Sequence, residues 1–421
     1  MHHFENRDGI MHAEGLPLTD IAAAVGTPFY CYSEATIRRH VQVFRRAFGD
    51  AHMLTAYSVK ANSNLSVLTV LAQEGAGADV VSEGELRRAR AVGIPGGKIV
   101  FSGVGKTRTE MAYALDENIH QFNVESEPEL HQLNEVAVAR GVVAPIAFRV
   151  NPDVSAGGHE KISTGKAEDK FGIPWDRAHA LFAQAHGLPG IAVKAVDVHI
   201  GSQIAALDPF EKAFMKVADL VKSLRAEGIP IERVDLGGGL GIPYSDGDTI
   251  PPHPDAYAAM IRRIADPLDV QLIFEPGRMI VGNAGILVSR VIFNKPGTDR
   301  RFLIVDAAMN DLLRPALYDA YHDLRPVVSH DGESPIAYDV VGPICETGDR
   351  FARERMLPPL AADDLVAFMS AGAYGAVQSS EYNSRPLVPE VMVNGDQFSV
   401  IRARPDYQAL LDRDQIAPWL S

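Results

Sequence analysis

Short apolar runs alternate with stretches of helical period through the middle of the chain. The runs are 53–59, 78–81, 98–101, 121–124, 146–150, 193–200, 233–236 and 272–274. Between them, segments such as 66–73, 84–92, 127–140, 209–227 and 255–265 carry apolar residues at helical spacing. Strands that are apolar on both faces belong to parallel sheets covered by helices. Eight strand-then-helix units in this length predict a (β/α)8 TIM barrel. After Gly282 the pattern changes. Runs at 286–293, 302–306, 337–341, 365–369 and 391–394 are joined by polar or Pro/Gly connections with few helices, which predicts a mostly β domain. The run at 29–33 is also strand-like and is expected to join that domain. The expected division is a barrel over 47–284, inserted between 1–46 and 285–421 of a β domain.

The residues that follow the strands carry more information than the strands themselves. Barrel chemistry gathers at strand C-termini, and here those ends hold Lys60, Glu83 and Glu85, Ser102, Glu125, Arg149 with Asn151, His199 with Ser202, Gly237–Gly239, and Glu275 with Arg278. One rim thus collects chargeable residues and glycines. The polar stretch 151–170 is long for a strand-to-helix loop and is expected to be functional.

Composition narrows the partners. With 40 basic and 54 acidic residues the net charge is −14, which disfavours nucleic acid or an anionic membrane as partner. An anionic substrate must therefore be held by local arginines. Two cysteines, Cys31 and Cys345, are too few for a secreted disulfide framework. The opening residues lack the apolar core of a signal peptide, and no apolar run reaches membrane-spanning length. A cytoplasmic protein is expected.

Lys60 in AYSVKAN ends an apolar strand, so it is expected to be partly desolvated and nucleophilic, suited to a Schiff base; an isolated lysine would more often snorkel to the rim, and it is the neighbouring features that favour the chemical reading. Gly237, Gly238 and Gly239 in VDLGGGLG can turn successive N–H groups toward one oxyanion, although a glycine triplet alone also makes a plain tight turn. An amine and a phosphate nest on one rim suit a cofactor with an aldehyde and a phosphate, and pyridoxal 5'-phosphate has both. Glu275 in FEPGR could hold a pyridine nitrogen protonated, or pair with Arg278. His199 in VHIGSQ could stack on a flat ring or serve as a hydrogen-bonded neighbour. Asp197, two residues earlier, is given no role. Cys345 lies in the polar turn PICETGDR, where a chemical role is plausible, whereas Cys31 between Tyr30 and Tyr32 reads as core. Tyr374 in AGAYG, with little local packing, favours a ligand contact.

The motifs TPFYCYS, YSVKAN, GADVVSEGEL, RVNPD, VHIGSQ, DLGGGLG, FEPGR, CETGD and AYG, in this order and spacing, resemble the fold-type III pyridoxal-phosphate decarboxylases. That group acts on ornithine, arginine or diaminopimelate. GHEKISTGKAEDKFGI and LLRPALYDAYH resemble the diaminopimelate branch. The resemblance covers nearly the whole chain and implies an alanine-racemase-like pairing of barrel and β domain, active as a homodimer with sites shared across the interface. It implies that Lys60 carries pyridoxal 5'-phosphate and that His199 stacks on its ring. Gly239, the backbone of Glu275, Pro276, Gly277 and Arg278, and Ser202 as an extra contact, would bind its phosphate, while the Glu275 side chain meets its ring nitrogen. Arg278, Arg314 and Tyr318 would grip a distal carboxylate and Glu346 a distal ammonium. Cys345 from the partner chain would be the proton donor, and Tyr374 would touch both cofactor and substrate. The implied reaction is decarboxylation of meso-2,6-diaminopimelate to L-lysine, the last step of lysine biosynthesis. The alternative is a decarboxylase of ornithine or arginine, whose cationic ends two arginines would repel. A racemase of related fold, a non-catalytic cofactor carrier and a Schiff-base aldolase each leave some of these residues unexplained.

Overall fold

A computed structural model describes residues 2–154, 170–245, 247–330 and 332–420. The segment 155–169, most of the loop singled out above, lies outside the described residues. Two compact units divide the chain. One comprises Arg38–Pro243 and Asp248–Ile280, the other Met1–Ile37, Tyr244–Gly247 and Val281–Ser421.

The first unit is a closed barrel of eight parallel strands. They are β1 (Met53–Ser58), β2 (Gly77–Val80), β3 (Ile99–Phe101), β4 (Gln121–Val124), β5 (Ala144–Asn151), β6 (Ile191–Asp197), β7 (Arg233–Asp235) and β8 (Gln271–Phe274). Neighbours in sequence pair in order, and β8 pairs back onto β1 through Leu272 and Met53, which closes the ring. Helices begin soon after several strands because the chain supplies caps there. Ser82 and Ser126 accept N–H bonds from Glu85 and Glu129, and Thr107 with Glu110 forms a reciprocal capping box. These caps hold the strand-end loops short, so the polar residues after each strand stay on the rim.

The second unit is the expected mostly β domain. Its main sheet runs in the order Arg350–Leu357, Ile336–Val341, Arg301–Val305, Gly285–Pro296, Phe29–Ser33, Glu390–Asn394, Gln397–Arg402. Phe29–Ser33 lies antiparallel to Gly285–Pro296 and parallel to Glu390–Asn394. Cys31 sits in the core with Phe29, Ile286, Val288 and Val391, as its apolar setting predicts.

Three differences from the pattern reading have physical causes. The run expected to be a strand over 193–200 leaves the sheet after Asp197, so His199 and Ser202 stand on the following loop. The helix Glu34–Phe48 escapes the pattern reading, yet Ile37, Val41, Phe44 and Phe48 recur at helical spacing and are all buried. Arg350–Leu357 is an edge strand with only Phe351 and Leu357 buried, so its charged sequence carries almost no alternation signal. No helix among the described residues is long and apolar enough to cross a membrane.

Candidate active site

Lys60 stands in the single turn Val59–Ala61 that follows β1. Its Nζ lies 3.5 Å from Oδ2 of Asp79 at the adjacent strand β2. Asp79 is fully buried and also accepts a 2.8 Å bond from the Ser58 hydroxyl. The Lys60 side chain is 42% exposed, so it is partly covered. What sets this lysine apart is the fixed, buried carboxylate at its side.

Glu275, at the end of β8, is buried within a polar cluster filling the upper barrel. Asn123 Nδ2 donates to Glu275 Oε1 at 3.1 Å and to Asp235 Oδ2 at 3.3 Å. The Ser102 hydroxyl adds a 3.3 Å bond to the same Glu275 oxygen, and Gln121 donates to Asn123 at 2.8 Å. Burial, reinforced by neighbouring carboxylates, pushes the Glu275, Asp235 and Asp197 carboxyls well above the usual range. Such a cluster favours holding protons and has capacity to share one with a basic ring nitrogen. Asp197, given no role above, is buried and belongs to this carboxylate cluster. The signal that could have found it is a carboxylate closing a largely apolar strand. Asp79, Asn123 and Asp235 are likewise strand residues whose polarity inside apolar runs marks them, and Oδ1 atoms of Asp79 and Asp197 are buried with no hydrogen-bond partner.

Burial, with the cations of Arg149 and Lys60 adding to it, pushes the His199 imidazole well below its usual range, so the ring is neutral. Its Nδ1 accepts the Gly238 N–H at 3.1 Å, which leaves the proton on Nε2. The glycine triplet is a close backbone cradle. A Cβ would lie 2.7 Å from His199 Nδ1 at Gly237, 2.4 Å from the Glu275 carbonyl at Gly238 and 2.5 Å from the Gly201 carbonyl at Gly239. Gly237 and Gly239 also take left-handed φ angles of 63° and 108°. Gly277, after Pro276, lets backbone approach β1, since a Cβ there would meet Ala61 and Ser58 at 3.0 and 3.1 Å. Buried Arg278 donates to the Ser202 hydroxyl at 3.1 Å, which brings together two residues predicted to bind ligand. Arg149 forms a buried pair with Glu125 at 3.3 Å instead of pointing freely into the mouth.

The remaining predicted residues lie in the β unit. Arg314 opens the short helix Arg314–Tyr318 and is only 7% exposed. Cys345 and Glu346 sit on an exposed turn, where the Cys345 N–H donates to the Asn383 side chain at 3.0 Å. Glu346 is within hydrogen-bonding reach of Tyr382 and raises the pKa of its hydroxyl. Tyr374 takes a left-handed φ of 58°, a costly state for a bulky side chain that persists where surroundings impose it.

A parallel barrel whose rim unites an amine, a buried acid cluster and a glycine cradle defines the class of protein. The chain belongs to the pyridoxal-dependent decarboxylases: residues 34–282 match the family described as "Pyridoxal-dependent decarboxylase, pyridoxal binding domain". It is 50% identical over 412 residues to the diaminopimelate decarboxylase of Vibrio cholerae, covering 98% of each chain. It is 47% identical to that of Zymomonas mobilis, covering 99% of each. Among solved structures, diaminopimelate decarboxylase from Helicobacter pylori complexed with L-lysine is 40% identical with a TM-score of 0.90, covering 94% of this chain and 98% of that one. The enzyme from M. jannaschii in complex with L-lysine is 36% identical with a TM-score of 0.94 and full coverage of both chains. Pyridoxal 5'-phosphate is the family's cofactor, and the residues present fit it. The cradle leaves no room for a Cβ, the acid cluster suits a ring nitrogen, and Lys60 presents an amine.

Proposed function

We propose that the protein removes the carboxylate at the D-centre of meso-2,6-diaminopimelate, releasing carbon dioxide and L-lysine, in the cytoplasm. The observation that carries this substrate is a buried guanidinium in each unit, Arg278 at 6% and Arg314 at 7% exposure. A guanidinium only donates, so such groups favour a substrate ending in a carboxylate and repel the cationic ends of ornithine and arginine.

Pyridoxal 5'-phosphate, when bound, supplies a sink for the electron pair left at the α-carbon as carbon dioxide leaves. Lys60 would hold its aldehyde carbon through the amine. Glu275, kept protonated or sharing a proton with Asp235, holds that proton at the ring nitrogen. His199 offers an uncharged face for stacking, and its bond to Gly238 keeps that face fixed. The backbone of Gly237–Gly239 and of Glu275, Pro276, Gly277 and Arg278, with the Ser202 hydroxyl, binds phosphate. Arg278, Arg314 and Tyr318 hold the distal carboxylate, and Glu346 holds the distal ammonium. Tyr374 lines cofactor and substrate. Cys345 delivers the proton to the α-carbon. Cys345 and Glu346 come from the second protomer of a homodimer, which agrees with their exposure on a turn of the β unit.

Purified protein given meso-diaminopimelate is expected to release carbon dioxide and L-lysine in equal amounts, with borohydride coupling the cofactor irreversibly to Lys60. Carbon dioxide from L-ornithine or L-arginine but none from meso-diaminopimelate would overturn the substrate. A label mapped to another lysine would overturn the anchor.

A further inference from the structure

His322 belongs to the segment LLRPALYDAYH but has no part in the chemistry described so far. It is 3% exposed. Its Nε2 lies 3.2 Å from Nε of Arg314, and its Nδ1 lies 2.9 Å from the carbonyl of Met369. An arginine N–H can only donate, so Nε2 must be the bare acceptor. The carbonyl can only accept, so Nδ1 must carry the proton. Both contacts thus require one neutral tautomer. The Met369 carbonyl fixes the ring, and the ring in turn fixes the guanidinium. A second strut comes from Tyr244, whose hydroxyl accepts from Nη2 of Arg314 at 3.3 Å and whose ring lies 5.4 Å from the guanidinium carbon. Tyr244 also packs edge-on against His322, with centroids 5.3 Å apart.

We infer that His322 is a positioning residue for specificity: through its bare Nε2, with Tyr244 as second support, it holds Arg314 in the orientation that receives the substrate's distal carboxylate. The inference rests on the reading of Arg314 as the carboxylate-binding group. Rotational freedom lost by Arg314 in advance need not be lost on binding, so the device acts on affinity and leaves the rate of the bound substrate alone.

The two amide substitutions separate this role from a structural one. In His322→Gln the amide oxygen reaches the Nε2 position and still accepts from Arg314, while the Met369 bond is lost. In His322→Asn the amide reaches only the Nδ1 position, so it keeps the Met369 bond and abandons Arg314. The expected result is that His322→Asn raises KM for meso-diaminopimelate about tenfold with kcat within about twofold, while His322→Gln stays within about threefold of wild type in both. Equilibrium binding gives a readout free of turnover. L-lysine retains the distal carboxylate and 1,5-diaminopentane does not, so His322→Asn should weaken L-lysine about tenfold and leave 1,5-diaminopentane unchanged. If Asn and Gln act alike, if Asn is the milder change, or if both ligands weaken together, the positioning role is overturned. Arg314→Ala tests the underlying reading separately and should weaken L-lysine by at least about thirtyfold. An Arg314→Ala protein that binds L-lysine normally overturns that reading, whereas a weakened Arg314→Ala beside unaffected His322 variants overturns only the inference.

Discussion

Glu85 shows how a single buried carboxyl ties this protein's stability to pH. Burial pushes it up to about 7, against the pull of the Val81 N–H that it accepts at 2.8 Å. In the unfolded chain a glutamate titrates near 4.3. The folded state therefore keeps a proton over a window where the unfolded state has lost it. Stability from this group is fully present below about pH 4.3, is lost as pH rises through about 7, and totals on the order of 3 kcal/mol. Glu85→Gln removes the titration and keeps an acceptor for Val81. Its stability relative to wild type should rise between pH 5 and pH 8, approaching that amount, in urea unfolding at the two values. A difference independent of pH would show that Glu85 ionises normally. The same desolvation acts on Asp197, Asp235 and Glu275.

At the scale of elements, strand ends and their glycines decide what can bind. Gly239→Ala would place a methyl 2.5 Å from the Gly201 carbonyl and impose a φ of 108° on a residue with a side chain. Because the contact is to backbone, no rotamer relieves it. The variant should keep the far-ultraviolet dichroism of the barrel and lose the visible absorbance of the cofactor at concentrations that saturate wild type; retained cofactor would remove this glycine from the cradle. Much of this architecture was legible beforehand. Strands 121–124 and 29–33 and helix 127–140 were found with the bounds the structure gives, because buried runs and helical spacing are local signals. The polar floor of the barrel was less legible. Asn123 and Asp235 meet Glu275 only after the ring closes, and strand order is not written in any one strand. Asp197 could have been found as a carboxylate closing a largely apolar strand. His322 could not, since its partners Tyr244 and Met369 come from distant parts of the sequence.

For the whole molecule, the shared-site reading has a quantitative consequence. Lys60→Ala and Cys345→Ala proteins should each be nearly inactive. In a mixed dimer one site collects both lesions and the other collects neither. Random pairing of equal amounts then restores about a quarter of wild-type activity, because half the dimers are mixed and each has one intact site. Co-expression with two affinity tags isolates the mixed dimers directly, and mixed dimers no more active than their parents would rule out sharing. The strand Phe29–Ser33 carries a consequence of another kind. Its sheet partners, Gly285–Pro296 and Glu390–Asn394, are both translated after the barrel, whereas the barrel needs nothing beyond Gln271–Phe274 to close its ring. The apolar arm Phe29, Tyr30, Cys31 and Tyr32 is thus made well before either strand it will lie between, and on a growing chain it is the stretch most open to edge-to-edge association.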